Sequence, residues 1–229
     1  GPEKSAELLL RSAGRGAAGF VEQLSPEQAA AIVEEMSSRQ QVDFLRELRD
    51  RDAEQIIEEF AQPEAEKVRE LMAYPEDTAG GLMIPEYLAF SSRMRVKDVL
   101  DDLREHGEVY SAFDIQYAYV VSETGELLGV LPLRDLLLVP KDRSITDIMI
   151  KEPRRVRVDT PLRDLRELFT QYNYLGLPVV DEKNRLVGVV LSATVRDAAT
   201  KRSNQLFLKF AGIVGGEEFR TMPLFKRSS

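Results

Sequence analysis

Tyr119-Val120-Val121-Ser122-Glu123-Thr124-Gly125-Glu126-Leu127-Leu128-Gly129-Val130-Leu131 lies over Pro178-Val179-Val180-Asp181-Glu182-Lys183-Asn184-Arg185-Leu186-Val187-Gly188-Val189-Val190 at a constant offset of 59 residues. Both stretches read as strand, turn, strand. Apolar, β-branched runs flank Thr124-Gly125 and Lys183-Asn184, the places where a hairpin needs a residue that tolerates positive φ. An amphipathic helical pattern precedes each hairpin: Val96, Val99, Leu100 and Leu103 in the first copy, Leu162, Leu165, Leu168 and Phe169 in the second. A further helix is predicted after each, beginning near Leu133 or Ala193. The chain therefore carries two copies of a β-α-β-β-α unit, from about Leu82 to Thr200.

Upstream the period changes. Ser25 to Met72 divides into four 12-residue units in which apolar residues recur at positions 8 and 12: Ile32 and Met36, Phe44 and Leu48, Ile56 and Phe60, Val68 and Met72. Val33, Leu45 and Ile57 add position 9, and Ala29, Ala53 and Ala65 add position 5, with Arg69 and Gln41 as the exceptions. These positions share one helical face. Start signals fit the units: Ser25-Pro26-Glu27-Gln28 is a capping box with proline at the first turn, and Ser38 with Gln41 and Asp52 with Gln55 repeat that logic. Such short helices are stable only when neighbours stack, which predicts a small superhelix. Leu8-Leu9-Leu10 suggests another short helix, and Gly14 to Gly19 a loop. Tyr74-Pro75-Glu76-Asp77-Thr78-Ala79-Gly80-Gly81 is the junction between the two patterns.

Composition narrows the chemistry. There is no cysteine and one histidine, so disulfides, thiolate metal sites and thiol nucleophiles are excluded, and any His-based triad would depend on His106. That residue, in Arg104-Glu105-His106-Gly107, reads as the exposed end of a helix. No nucleophile, base and oxyanion site can be assembled, so the chain is not read as an enzyme. Residues 1–82 hold 18 acidic and 9 basic side chains, whereas residues 83–229 hold 21 and 22. The acidic N-terminal part would repel phosphates, which argues against a nucleic-acid partner and is compatible with cation binding. No apolar run reaches the roughly 18 residues of a membrane span.

The repeated unit, with its Val-Val-x-x-x-Gly-x-Leu-x-Gly core, resembles the CBS domain, two of which fold together around a cleft. In that family, clefts that take adenine nucleotides carry a hydroxyl and an aspartate at the last strand-to-helix turn. The first copy reads Gly129-Val130-Leu131-Pro132-Leu133-Arg134-Asp135, and the second Gly188-Val189-Val190-Leu191-Ser192-Ala193-Thr194. Arg134 and Asp135 are thus the candidate anchors for ATP or another adenine nucleotide, and Tyr174 a candidate stacking partner. The second copy lacks the aspartate.

The acidic superhelix, then Tyr74 to Met83, then the CBS pair, is similar to the cytosolic region of the MgtE family of magnesium channels. Phe210-Ala211-Gly212-Ile213-Val214-Gly215-Gly216-Glu217-Glu218 resembles the segment leading to the pore, and residues 201–229, with six basic and two acidic side chains, suit the cytoplasmic side of a membrane. The resemblance implies an α+β chain with a C-terminal helix: a helical superhelical domain at 3–73, a junction at 74–82, CBS repeats at 83–145 and 146–200, and a segment connecting toward the pore at 201–229. It further implies a regulatory module on the cytoplasmic face of the membrane, a homodimer through the CBS domains, and a transmembrane pore of the same chain. It also implies Mg²⁺ between the helical domain and the CBS pair, with Asp197, Glu58 and Glu59 as candidate ligands. Asn173, Arg163, Thr194 and Arg202 stand where acids are expected. Salt bridges between the acidic helices and this basic face are the contrasting expectation, and an adenine-nucleotide sensor without Mg²⁺ sensing is the alternative function.

Overall fold

The computed structural model describes Ala6, residues 24–111 and residues 117–218. The readings at Leu8-Leu9-Leu10 and at Gly14 to Gly19 lie outside the described residues. Four helices follow one another as the 12-residue period requires: α1 (Pro26–Val33), α2 (Ser38–Glu47), α3 (Asp50–Glu58) and α4 (Gln62–Ala73). α1 packs on α3 and α2 on α4. Their shared core takes Ile32, Val33, Phe44, Leu45, Ile56, Ile57, Phe60 and Val68, the residues at positions 8, 9 and 12.

The caps correct two start signals. Ser25 and Gln28 do form a reciprocal box, with Gln28 N donating to Ser25 Oγ and Ser25 N to Gln28 Oε1. The second box uses Ser37 and Gln40, one residue earlier than Ser38 and Gln41. That register turns Ser38 and Gln41 inward: both are buried, and the Gln41 amide nitrogen donates to Met36 O at 3.2 Å. α3 starts two residues before the expected cap. Arg49 precedes it without a side-chain cap, and Asp50 and Asp52 occupy its first turn, where carboxylates suit the helix dipole.

The junction forms a single turn, α5 (Ala79–Leu82), capped by Thr78. Its amides dock on the second repeat: Ala79 N donates to Thr160 O and Gly80 N to Val158 O, each at 2.8 Å. A Cβ on Gly81 would lie 2.0 Å from Pro75 O, so this approach is open to glycine alone.

In the first repeat β1 (Leu88–Ser91), α6 (Val96–Glu105), α7 (Gly107–Ser111), β2 (Tyr117–Val121) and β3 (Leu127–Pro132) follow in order. The second contains β4 (Ile150–Lys151), β5 (Val156–Arg157), α8 (Leu162–Gln171), β6 (Gly176–Val180), β7 (Leu186–Leu191) and α9 (Ser192–Glu218). β1 is parallel to β2 and β5 to β6, while both hairpins are antiparallel. Gly125 at φ 84° and Asn184 at φ 61° make the turns, as read from the sequence. The hairpin ends meet, with Leu127 N donating to Asn184 O and Leu186 N to Gly125 O.

Each sheet also borrows an edge from the other repeat. β4 pairs with β3, and Ile84 bridges to Val189 on β7. Met149 and Met83 lie across the hairpin glycines: a Cβ on Gly129 would meet Met149 Sδ at 2.5 Å, and one on Gly188 would meet Met83 Sδ at 2.6 Å. The helix expected near Leu133 is only a 3₁₀ turn, Asp135–Leu137. Pro140 follows closely and disfavours helical backbone in the residue before it. The counterpart near Ala193 is instead the 27-residue α9. No helix among the described residues is long and apolar enough to cross a membrane.

Candidate functional site: the cleft between the helical domain and α9

The junction holds α2 and α4 against the second repeat, and two arginines of α2 join the pieces. The half-buried Arg46 of α2 donates from Nη2 to Leu71 O at 3.1 Å and to Tyr74 O at 2.7 Å, and from Nη1 to Gly81 O at 3.4 Å. It therefore satisfies carbonyls at the C-terminal end of α4 and ties them to α5. Burial lowers its pKa and Glu76 opposes that effect; a guanidinium stays charged regardless. Arg39 also donates to Gly81 O. Val42 and Leu71 join the second repeat's own core, with Leu82, Leu165 and Val195.

Beside this contact lies a cleft of about 520 Å³. Asp43, Glu76, Asp77 and Asp197 line it, and so do Arg39, Lys201 and Arg202. Two of the carboxylates are engaged by guanidinium groups: Asp43 by Arg39 at 2.9 Å and Asp77 by Arg202 at 2.6 Å. The second pair connects the junction to α9 across 125 residues of sequence.

Asp197 thus stands in the cleft, whereas Glu58 and Glu59 do not join it. They end α3, exposed, on the side of Arg69, whose pKa is raised chiefly by its hydrogen bond to Glu54 with Glu58 and Glu66 adding to the field. Among the described residues no three acidic or imidazole groups come close enough to hold a metal ion. Thr194 and Arg202 line the cleft as well, Arg163 pairs with its neighbour Asp164, and Asn173 is exposed. A hard dication needs several oxygen ligands, and this arrangement fills the place with guanidinium groups instead. As arranged here, the described residues of this cleft do not fit Mg²⁺.

Arg134 and Asp135 sit at the turn after β3. Their side chains are 83% and 37% exposed, and their mutual contact is a loose 3.4 Å. Tyr174 belongs to a separate ladder, in which Arg154 lies 4.0 Å over the Tyr172 ring and Tyr172 stacks on Tyr174. No hydrogen bond, ion pair or ring contact among the described residues joins that ladder to Arg134 or Asp135. An exposed carboxylate beside an exposed guanidinium fits ribose hydroxyls and phosphate. His106 closes α6, half-exposed, with Nδ1 3.2 Å from Asp102 Oδ1.

The equivalent turn of the second repeat, which reads from the sequence as a half-site with its hydroxyl shifted to Ser192 and its aspartate missing, encloses a cavity of about 190 Å³ between β7 and the start of α9. Tyr87, Tyr117 and Tyr119 line it together with Glu86, Ser192 and Arg196. The signal was available in the repeat: at an offset of 59, Ser192 falls on Leu133, and Gly176 on Tyr117. The contribution of Glu86 from the other repeat was not visible that way.

Comparison with known proteins agrees with this architecture. Residues 1–77 match the MgtE intracellular N domain, and residues 79–142 and 145–201 match the CBS domain. The magnesium transporter MgtE of Thermus thermophilus is 40% identical over 138 residues, which cover 60% of this chain and 30% of that protein. The MgtE of Bacillus subtilis is 34% identical over a similar stretch. The chain therefore spans about a third of the length of the curated relatives it matches. Among solved structures, the cytosolic domain of the Mg²⁺ channel MgtE in complex with ATP is 36% identical with a TM-score of 0.77, covering 86% of this chain and 80% of that one. The soluble part of a magnesium transporter superposes with a TM-score of 0.78 at 26% identity. An N domain, a glycine-bearing junction and a paired CBS module in this order place the chain in the MgtE family, as the cytosolic region of one of its members.

Proposed function

We propose that this region regulates a Mg²⁺-conducting pore carried by the same gene product, through docking of the N domain on α9 at the cytoplasmic face of the membrane, and that it works as a homodimer through its CBS repeats. It acts by binding and docking, without catalysis. The observation that carries this reading is the Arg202–Asp77 pair, which clamps α9 to the junction at 2.6 Å. α9 is the long element leaving the second repeat, so a change at its base is passed along its length. Released, the N domain would leave α9 free to move; docked, it fixes the helix.

Arg39, Lys201 and Arg202 supply the positive charge in this cleft, so the docked state depends on ionic strength and not on a bound dication. Exposed pairs of this kind weaken as the Debye length shrinks from about 10 Å at 0.1 M salt to about 3 Å at 1 M. Magnesium uptake by cells expressing the full gene product tests the reading. Asp77→Lys and Arg202→Glu each raise uptake, and the double exchange returns it toward wild type. Equal uptake in all four would overturn it.

An adenine nucleotide is the proposed ligand of this region, because a 36% identical relative was solved with ATP. Arg134 and Asp135 are its proposed anchors, with Tyr174 as stacking partner. Calorimetry with ATP tests this assignment: Asp135→Ala abolishes the heat if they hold the nucleotide, and unchanged binding removes them.

A further inference from the structure

The run Ser37-Ser38-Arg39-Gln40-Gln41 holds two overlapping capping boxes for α2, Ser37 with Gln40 and Ser38 with Gln41. With the N domain docked, the first is formed: Ser37 N donates to Gln40 Oε1 at 3.0 Å, and Gln40 N donates to Ser37 Oγ. The second is dismantled. Ser38 Oγ donates instead to the carboxylate of Glu86, just before β1, which also accepts from Lys67 Nζ at 3.0 Å. Gln41 is 4% exposed, and its amide nitrogen donates to Met36 O at 3.2 Å. Its Oε1 is the one buried side-chain polar atom without a hydrogen-bond partner among the described residues.

Packing does not call for a glutamine at this place. The same position of the 12-residue unit is alanine in the other three units, and Ala29, Ala53 and Ala65 are all buried. A buried acceptor without a donor costs at least as much as a lost hydrogen bond. Starting α2 one residue later removes that cost: Gln41 Oε1 then accepts from Ser38 N, and Ser38 Oγ accepts from Gln41 N.

We infer that the start of α2 is a two-register switch set by docking: Ser37 is the cap while the N domain sits on the CBS pair, and Ser38 is the cap once it leaves. The inference rests on docking being the regulated event. Glu86 lies beyond the junction and Ser38 in the N domain, so their bond exists only in the docked state. That bond occupies the hydroxyl that the second box needs, while the next residue, Arg39, is held by Gly81 O. Without Glu86 the two boxes make two side-chain bonds each, and the unsatisfied oxygen of Gln41 decides between them. Docking must then return α2 to the Ser37 register, so the apparent affinity of the N domain for its seat falls with the fraction of chains in the other register. Gln40 and Gln41 make no hydrogen bond or ion pair with the CBS repeats among the described residues, so both act on docking through the helix start.

Backbone ¹³C chemical shifts of Ser37 and Ser38 in the 229-residue chain test the register, because the cap residue is extended and the residue after it helical. Wild type at low salt is expected to show an extended Ser37 and a helical Ser38. Glu86→Ala is expected to make Ser38 the extended residue, and Glu86→Ala combined with Gln41→Ala to return the wild-type pattern. A helical Ser38 in Glu86→Ala would overturn the switch. Docking itself is read by energy transfer between dyes on Glu58→Cys and Glu182→Cys in this cysteine-free chain, titrated with NaCl. Gln41→Ala is expected to raise the docking constant about fivefold and Gln40→Ala to lower it about fivefold, the contribution of one helix cap. Gln40→Glu keeps the first box and is expected to match wild type. Equal docking constants in wild type, Gln40→Ala and Gln41→Ala would overturn the coupling. Energy transfer that ignores NaCl would overturn the regulatory reading and the coupling with it, while the register is still decided by Glu86→Ala.

Discussion

Replacing Arg46 by methionine should cost far more than breaking the more conspicuous ion pair at Arg202. Arg46 is half-buried and donates to two carbonyls at the end of α4, at 3.1 and 2.7 Å, and more weakly to Gly81 O. Hydrogen bonds from charged donors contribute about 1.5–3 kcal/mol each. Water can replace part of that at a half-buried site, which leaves about 3 kcal/mol for the two good bonds together. At about 2–4 °C per kcal/mol for a chain of this size, Arg46→Met lowers Tm by about 6–12 °C. Arg202 and Asp77 are 57% and 53% exposed, so Arg202→Ala costs about 0.2–1 kcal/mol, or about 0.4–4 °C. Arg46→Lys keeps the charge but not the fork and falls between the two. Calorimetric melts of the three variants measure this directly. Arg46→Met within 1 °C of wild type, or Arg202→Ala equal to it, would refute the view that Arg46 staples the domains while Arg202 only latches them.

Gly188→Ala should destabilise by about 1–3 kcal/mol in denaturant titrations, because its Cβ meets Met83 Sδ at 2.6 Å and Ile84 O at 3.0 Å. Met83→Ala in the same chain should recover part of that loss, since only the sulfur end can yield. Asn184→Val should cost about 1–2 kcal/mol at φ 61°, whereas Asn184→Gly stays near neutral. At Asp181, slight burial raises the carboxyl pKa, but hydrogen bonds from Arg185 and Lys183 outweigh it and lower the value overall. Its stabilising contribution is complete above the unfolded pKa of about 3.9 and lost as pH falls through the lower folded value. Asp181→Asn should therefore flatten the acid limb of a stability–pH profile below about pH 4.

The repeats were legible because period and offset are properties of the sequence itself. A shift of 59 residues placed both hairpins and their turn residues, and a period of 12 placed the helical core. Cap registers were less legible: Ser37-Ser38 offers two starts, and the choice depended on Glu86, 48 residues away, which takes Ser38. The exchanged edges were missed because Leu82-Met83-Ile84 and Ile148-Met149-Ile150 are short matches at a different offset, and only the fold gives them meaning. For the site, sequence supplied the acids and the arginines that stand among them. Which acid meets which arginine is decided by tertiary approach, as Asp77 and Arg202 show.

The absence of native cysteine makes the docked state directly measurable, since Glu35→Cys in the N domain and Glu182→Cys on the second hairpin give a specific dye pair at two exposed positions. Energy transfer between them should be highest at low salt and fall as NaCl rises. MgCl₂ at equal ionic strength should lower it to the same extent. Asp77→Lys or Arg202→Glu should lower it at all salt concentrations, and the double exchange should restore it. Transfer that rises with MgCl₂ above the matched NaCl control, or that ignores both charge reversals, would contradict a latch made of guanidinium and carboxylate.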